Sequence, residues 1–147
     1  MVAHPRYWPL MRDPNALLPG YALRRASTAM MAELGARLAP LGLRSTDVSI
    51  LLVVDANPGI TQSVIGRALD IQRANMAPFI ARLAERGWVA RQRVDGRSQG
   101  LLLTPDGRAL MAQVRTVIDR FEDDLLNRIP AEHRAHFLPA LQALWIR

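Results

Sequence analysis

The residues in this chain best suited to engaging a large anion are arginines, with one asparagine among them. Arg73 and Asn75 stand two positions apart, and these are the side-chain types that bond guanine and adenine edges bidentately. A solvated helix start would use them too, but the residues downstream of them favour the first reading. Arg91 and Arg93 alternate with Ala90 and Gln92, so on a strand both face one way, as cations facing phosphates would. Asp95-Gly96-Arg97 then sets a lone arginine at a hairpin-turn signal. There it could reach a minor groove, whose negative potential attracts it. Arg24-Arg25 is a further pair, with phosphate, an anionic ligand and solvent all open to it.

Other chemistries lack their parts. Cysteine is absent, which removes disulfides, thiolate–zinc sites and thiol nucleophiles. There is no Gly-x-Ser-x-Gly elbow and no glycine-rich phosphate loop. Glu132, His133 and His136 amount to half a metal site. Nothing else converges on them by spacing, so they read as solvated surface and no metal is expected. With no catalytic constellation, the chain is expected not to be an enzyme and to need no cofactor.

Half of the 147 residues are apolar, enough for one packed core in a chain too short for two. The longest aliphatic run covers residues 50–54, against the ~18 or more of a membrane helix. Prolines at 5, 9 and 14 and the lack of an apolar stretch among them exclude a signal peptide. A cytoplasmic chain is expected. All 19 basic residues are arginine, which GC-rich coding explains without any function. Their placement says more: net charge is +4 over residues 1–44, −2 over 45–60, +4 over 61–108 and zero over 109–147. A basic middle beside a neutral C-terminal third suggests a polyanion-facing surface and a separate packing element.

These residues need elements to hold them. Prolines at 5, 9, 14 and 19 predict an extended arm over residues 1–20. Leu23, Ala26, Met30, Leu34 and Leu38 step by three and four, a helix from Tyr21 that Pro40 stops. A second helix, with Ser45 or Thr46 as cap, runs through Asp55. It is apolar almost all round and should be the buried one. Thr61 is a good N-cap for a short helix over 62–69, with Val64, Ile65 and Leu69 inward. After residues 70–72 another helix runs to Arg86, with Met76, Phe79, Ile80 and Leu83 inward and Gly87 closing it. Its first turn, Arg73, Ala74, Asn75 and Met76, is the part that would meet base edges in a major groove. Met30, Met31 and Met76 otherwise read as core.

The period then changes to two, giving strands over 88–94 and 100–103 around Asp95-Gly96. Thr104-Pro105 opens a long helix with Leu110, Val114, Val117, Phe121 and Leu125 on one stripe, ended by Ile129-Pro130. A last helix, with Pro139 inside it, carries Phe137, Leu141, Leu144 and Trp145. The fold class expected is mainly α (α+β), a winged helix-turn-helix over 45–103 within a single domain, 21–147.

The run from Asp95 to Gly107, Asp-Gly-Arg-Ser-Gln-Gly-Leu-Leu-Leu-Thr-Pro-Asp-Gly, resembles the Asp-x-Arg wing and Leu-Thr-x-x-Gly of MarR-type bacterial transcriptional regulators. Gly59-Ile60-Thr61-Gln62-Ser63 and Leu83-Ala84-Glu85-Arg86-Gly87-Trp88-Val89 are similar to the family's short-helix start and recognition-helix end. The resemblance implies a homodimer on pseudo-palindromic double-stranded DNA, usually a repressor released by a small, often aromatic ligand. It also implies that Arg97 enters the minor groove, that Asp95 helps hold the wing, and that Thr61, Gln62, Ser63 and Ser98 face DNA. Three features depart from the family: a wing about two residues shorter than in many relatives, Arg44 where threonine is common, and Pro78. Pro78 should kink the recognition helix or delay its regular start. Arg73-Ala74-Asn75-Met76 with Pro78 resembles a branch that controls aromatic-acid catabolism through acyl-CoA thioesters.

The apolar stripes of the last two helices exceed what one small domain must bury. The segments 21–39 and 104–147 are therefore expected to interlock with a twofold mate through Leu110, Val114, Val117, Phe121, Leu125, Phe137, Leu141, Leu144 and Trp145. The resemblance also implies an effector pocket where the dimer base meets the winged lobe, between the first helix (Arg24, Arg25, Ser27, Met31), the second (Ile50, Val54) and the long helix after Thr104, suited to an aromatic acid or its CoA thioester. The alternative is an architectural DNA-binding protein with no effector, which no metabolite would release. A small enzyme or interaction module with a basic face is disfavoured by the winged-helix order.

Overall fold

A computed structural model describes residues 13–93 and 99–145, in two compact units, residues 1–33 and 34–147. In the first, the Asp13 carboxylate accepts the Asn15 N–H at 2.9 Å and caps a short 3-10 turn, Pro14–Leu17. Helix α1, Pro19–Leu38, begins with its proline where a missing N–H is harmless. The expected extended arm thus gives way to turn and helix from Pro14 onward, and its first twelve residues lie outside those described. Along α1 only Leu38 is buried; Leu23 and Met31 are exposed, so Met31 is not the core residue expected.

In the second unit a 3-10 turn, Ala39–Leu41, and Gly42 at φ 67° lead into α2, Ser45–Ala56. Arg44 holds the N-cap position, and the Asp47 carboxylate accepts its N–H at 2.9 Å. Neither Ser45 nor Thr46 caps, because the helix begins before either could. Val48, Ile50, Leu51 and Val54 of α2 form the centre of the core, as its all-round apolar character requires.

Strand β1, Ile60–Thr61, comes next, then α3, Gln62–Ala68, and α4, Arg73–Glu85. Strands β2, Val89–Arg93, and β3, Gln99–Leu103, complete an antiparallel sheet of order β1-β3-β2. Val89 faces Leu103, Arg93 faces Gln99, and Ile60 faces Leu101. Thr61 sits at the N-cap of α3 but its hydroxyl makes no cap bond, and Val64 turns to solvent instead of inward. Helix α4 starts at Arg73 and is continuous through Pro78, so its start is not delayed. A mid-helix proline costs about 3 kcal/mol. Burying Met76, Ile80 and Leu83 returns roughly 1.5–3 kcal/mol each, which outweighs it.

Helix α5, Pro105–Asn127, and α6, Arg134–Gln142, end the chain, with a 3-10 turn, Ala131–His133, between them. The Thr104 hydroxyl accepts the Gly107 N–H at 2.9 Å, the cap that Thr104-Pro105 predicts. The Arg115 guanidinium donates to Asp55 at 2.5 Å, tying α5 to α2. Among the described residues no helix is long and apolar enough to cross a membrane. The result is the mainly helical winged helix-turn-helix that the sequence predicts.

Candidate nucleic-acid interface

Helices α3 and α4 meet at a turn whose tightness is built from three residues. Asp70 takes a left-handed φ of 52°, and the Ile71 N–H donates to the Gly66 carbonyl at 2.8 Å. A Cβ on Gly66 would lie 3.0 Å from Met76 Cγ and 3.1 Å from the Ile71 carbonyl oxygen. Only a residue without a side chain leaves that approach unstrained. Met76 is consumed by this contact. At 1% exposure it belongs to the core, which corrects its expected place among the base-facing residues: helical spacing turns it inward with Ile80 and Leu83. Arg73, Ala74 and Asn75 are exposed at the start of α4.

The other end of α4 is tied to the elbow before α2. Arg82 Nη2 pairs with Asp47 Oδ1, and its guanidinium lies 5.2 Å from the Phe79 ring centroid. The Asp47 side chain is almost fully buried, 3% exposed against 36% for Arg82. Arg86 Nη1 donates to the Gly42 carbonyl at 2.7 Å, and the guanidinium stacks 4.6 Å from the Trp88 centroid. Sequence reading counted Arg82 only as charge and Arg86 as the end of the recognition helix, with no partner for either. Partners 35 and 44 residues away give no local signal.

The wing is anchored at its base. The Thr104 hydroxyl donates to the Gly87 carbonyl at 2.5 Å, and its N–H donates to the Trp88 carbonyl at 3.1 Å. A Cβ on Gly107 would lie 2.0 Å from that Trp88 oxygen. Thr104 and Gly107 of the Leu-Thr-x-x-Gly run are therefore the cap and the close approach that lock α5 onto the sheet. Val89 is buried, while Arg91, Gln92 and Arg93 are exposed, with Arg91 Nη1 3.5 Å from Gln99 Oε1. Asp95, Arg97 and Ser98 lie outside the described residues.

Thr61 and Gln62 are half-buried and Ser63 is exposed. Gln62, Ser63, Arg67, Asp70, Gln72 and Arg73 line a surface cleft of about 320 Å³ between α3 and α4. Arg67 is a residue that sequence reading missed. Its signal was present as the basic residue in the last turn of the short helix. Arg82, Arg86 and Arg108 bond within the fold, although Arg86 and Arg108 are exposed, as are Arg67, Arg73, Arg91 and Arg93. The basic middle of the chain thus includes guanidiniums whose bonds serve the fold itself.

The expected effector residues differ in exposure. Ile50 and Val54 are 0% and 1% exposed, inside the core, because α2 is buried on nearly every face. Arg24, Arg25, Ser27 and Met31 are exposed on α1. Arg24 and Arg25 lie 5.2 and 5.8 Å from the Tyr21 ring, and Arg25 Nη1 donates to the Tyr21 hydroxyl at 3.2 Å.

The long apolar stripe also divides. Leu110, Val114 and Phe121 are buried within the single chain, a correction to their assignment to a subunit interface. Val117, Leu125, Phe137 and Leu141 are half-buried, while Leu144 and Trp145 are exposed. Glu132, His133 and His136 stand on exposed surface.

The model of the MarR family matches residues 41–98, from the elbow to the wing. A transcriptional repressor, CouR, solved bound to a 23-mer DNA duplex, is 33% identical, with a TM-score of 0.85 over 91% of this chain and 97% of that one. CouR bound to p-coumaroyl-CoA aligns at 0.83 with 32% identity, over 94% and 99%. An HTH-type transcriptional repressor of Mycobacterium tuberculosis is 29% identical over 127 residues, 85% of this chain and 91% of that protein. Its complex with salicylic acid aligns at 0.69, over 86% and 95%. The motifs, the winged fold and a relative matched over nearly its whole length agree, and the chain belongs to the MarR family of winged-helix transcriptional regulators.

Proposed function

We propose that the chain is a homodimeric repressor that reads a pseudo-palindromic duplex and releases it on binding an aromatic acid or its CoA thioester. The observation that carries the reading is the exposed Arg73-Ala74-Asn75 turn at the head of α4, with Arg91 and Arg93 outward on the neighbouring wing strand. Arg73 and Asn75 meet base edges, while the strand arginines take phosphates. Ser63 and the cleft lined by Arg67 border the same turn. Arg97 enters the minor groove and Asp95 helps hold the wing, as the family resemblance implies.

The dimer is supported by what the single chain leaves uncovered. Leu126, Leu138, Leu144 and Trp145 are exposed, and Val117, Leu125, Phe137 and Leu141 are half-buried. The effector class is supported by the relatives solved with p-coumaroyl-CoA and with salicylic acid. Arg24 and Arg25 offer cations for a carboxylate or phosphate, with Ser27 and Met31 on the same helix. The ligand must prefer the form with misplaced recognition helices, or it shifts nothing. A hundredfold loss of affinity requires a preference of about 2.7 kcal/mol.

The test is fluorescence anisotropy on a duplex that the protein selects from a randomised pool, titrated with salicylate, p-coumarate and p-coumaroyl-CoA. Release by at least one of these is expected. A complex that survives all three overturns the effector reading and leaves an architectural DNA-binding protein.

A further inference from the structure

We infer that Arg82 and Arg86 are positioning residues for DNA recognition, setting where the recognition helix presents Arg73 and Asn75 without touching DNA themselves. The inference rests on the DNA-binding reading above and extends it to the far end of α4. Both arginines lie in the basic middle of the sequence, where charge alone would assign them to phosphates.

The geometry assigns them elsewhere. Each guanidinium is held on two sides. Arg82 pairs with buried Asp47 and stacks on Phe79; Arg86 donates to the Gly42 carbonyl and stacks on Trp88. Planar guanidinium groups suit this combination of fork and face, which fixes orientation as well as distance. Asp47 also accepts the Arg44 N–H, so one carboxylate joins the first turn of α2 to the third turn of α4. Gly42 is built for its part: its φ is 67°, and a Cβ there would lie 2.8 Å from Arg86 Nη1. The opposite end of α4 is fixed by Gly66 against Met76. Between these anchors α4 has little freedom to turn about its axis or slide along it. Base-edge bonds require such placement, because small displacements forfeit bidentate geometry.

Three variants test this on the intact chain: Arg82→Met, Arg86→Met, and Asp47→Asn combined with Arg82→Met. The double variant removes both charges, so no uncompensated buried carboxylate threatens folding. Each is titrated onto the duplex selected by the wild type and onto a scrambled duplex of equal composition, across a salt series, with helicity checked by circular dichroism. Arg93→Met serves as the phosphate-contact comparison.

The inference predicts that preference for the selected duplex falls roughly tenfold, within the range for one lost base contact, while the salt slope stays at the wild-type value. Arg93→Met should do the reverse: the slope falls by about one and preference is kept. Unchanged preference in folded Arg82→Met and Arg86→Met overturns the inference and leaves the pairs purely structural. A slope that falls by about one for either variant also overturns it, by placing that guanidinium on phosphate. A wild type that selects no duplex instead overturns the DNA-binding reading on which the inference rests.

Discussion

Helices α4 and α6 are alike on paper. Each carries an internal proline, Pro78 and Pro139, and each repeats apolar residues at helical spacing. In the structure α4 sinks Met76, Ile80 and Leu83 to 1% exposure or less, whereas α6 buries none of its residues and is followed by exposed Leu144 and Trp145. The difference lies in what surrounds them. Helix α4 is bounded by α3, by the elbow before α2 and by the first wing strand, so its stripe is satisfied inside the chain. The end of the molecule has no comparable cover among the described residues. The same sequence pattern therefore specifies a folded lobe in one place and, on our reading, a subunit contact in the other.

The largest effect should come from the uncovered region. Leu144→Asp combined with Trp145→Asp removes two side chains per subunit, four per twofold interface. At about 1.5 kcal/mol or more for each, dimerisation should weaken by about 6 kcal/mol. Sedimentation should show monomers at micromolar concentration, with the helical signal of the winged lobe retained. A dimer as tight as the wild type would remove the contrast between α4 and α6.

The satisfied lobe should break next. Gly107→Ala places a Cβ against the Trp88 carbonyl oxygen, a backbone atom that cannot swing aside. Destabilisation of about 3 kcal/mol is expected, read by urea unfolding. Asp47→Ala leaves Arg82 without its carboxylate and uncaps α2. Because Arg82 is about a third exposed, the loss should be about 2–3 kcal/mol, below that of a fully buried pair. Gly66→Ala should cost about 1 kcal/mol, since Met76 can shift but the Ile71 carbonyl must give way as well. Equal stability of that variant and the wild type would show that the α3–α4 approach is looser than the distances indicate.

The sequence was most legible where the cause is local. Thr104 and Pro105 open α5 by cap chemistry, the stripe of α4 follows from its spacing, and Gly87 at φ 72° closes that segment as expected. It was least legible where two distant segments meet. Strand β1 has two residues and owes its existence to pairing with Leu101 and Gly100, so no period could announce it. The Asp47–Arg82 link joins residues 35 apart. Ile50 and Val54 were assigned to a ligand pocket although the all-round apolar character of α2 already marked it as the buried helix, and both sit in the core. Leu110, Val114 and Phe121 were given to a partner because a stripe does not say which surface covers it. At the candidate interface, side-chain chemistry singled out Arg73 and Asn75; Met76, which spacing placed inward and its turn placed among the base-facing residues, is inward against Gly66.

The central claim is that two copies of this chain read DNA through the exposed first turn of α4. The most direct measurement is selection of duplexes by the wild-type protein from a randomised pool, followed by sequencing. The account predicts an enriched, twofold-symmetric sequence whose half-sites lie about 34 Å apart, one helical turn, on one face of the duplex. No enrichment, or enrichment of a single asymmetric half-site, would contradict it.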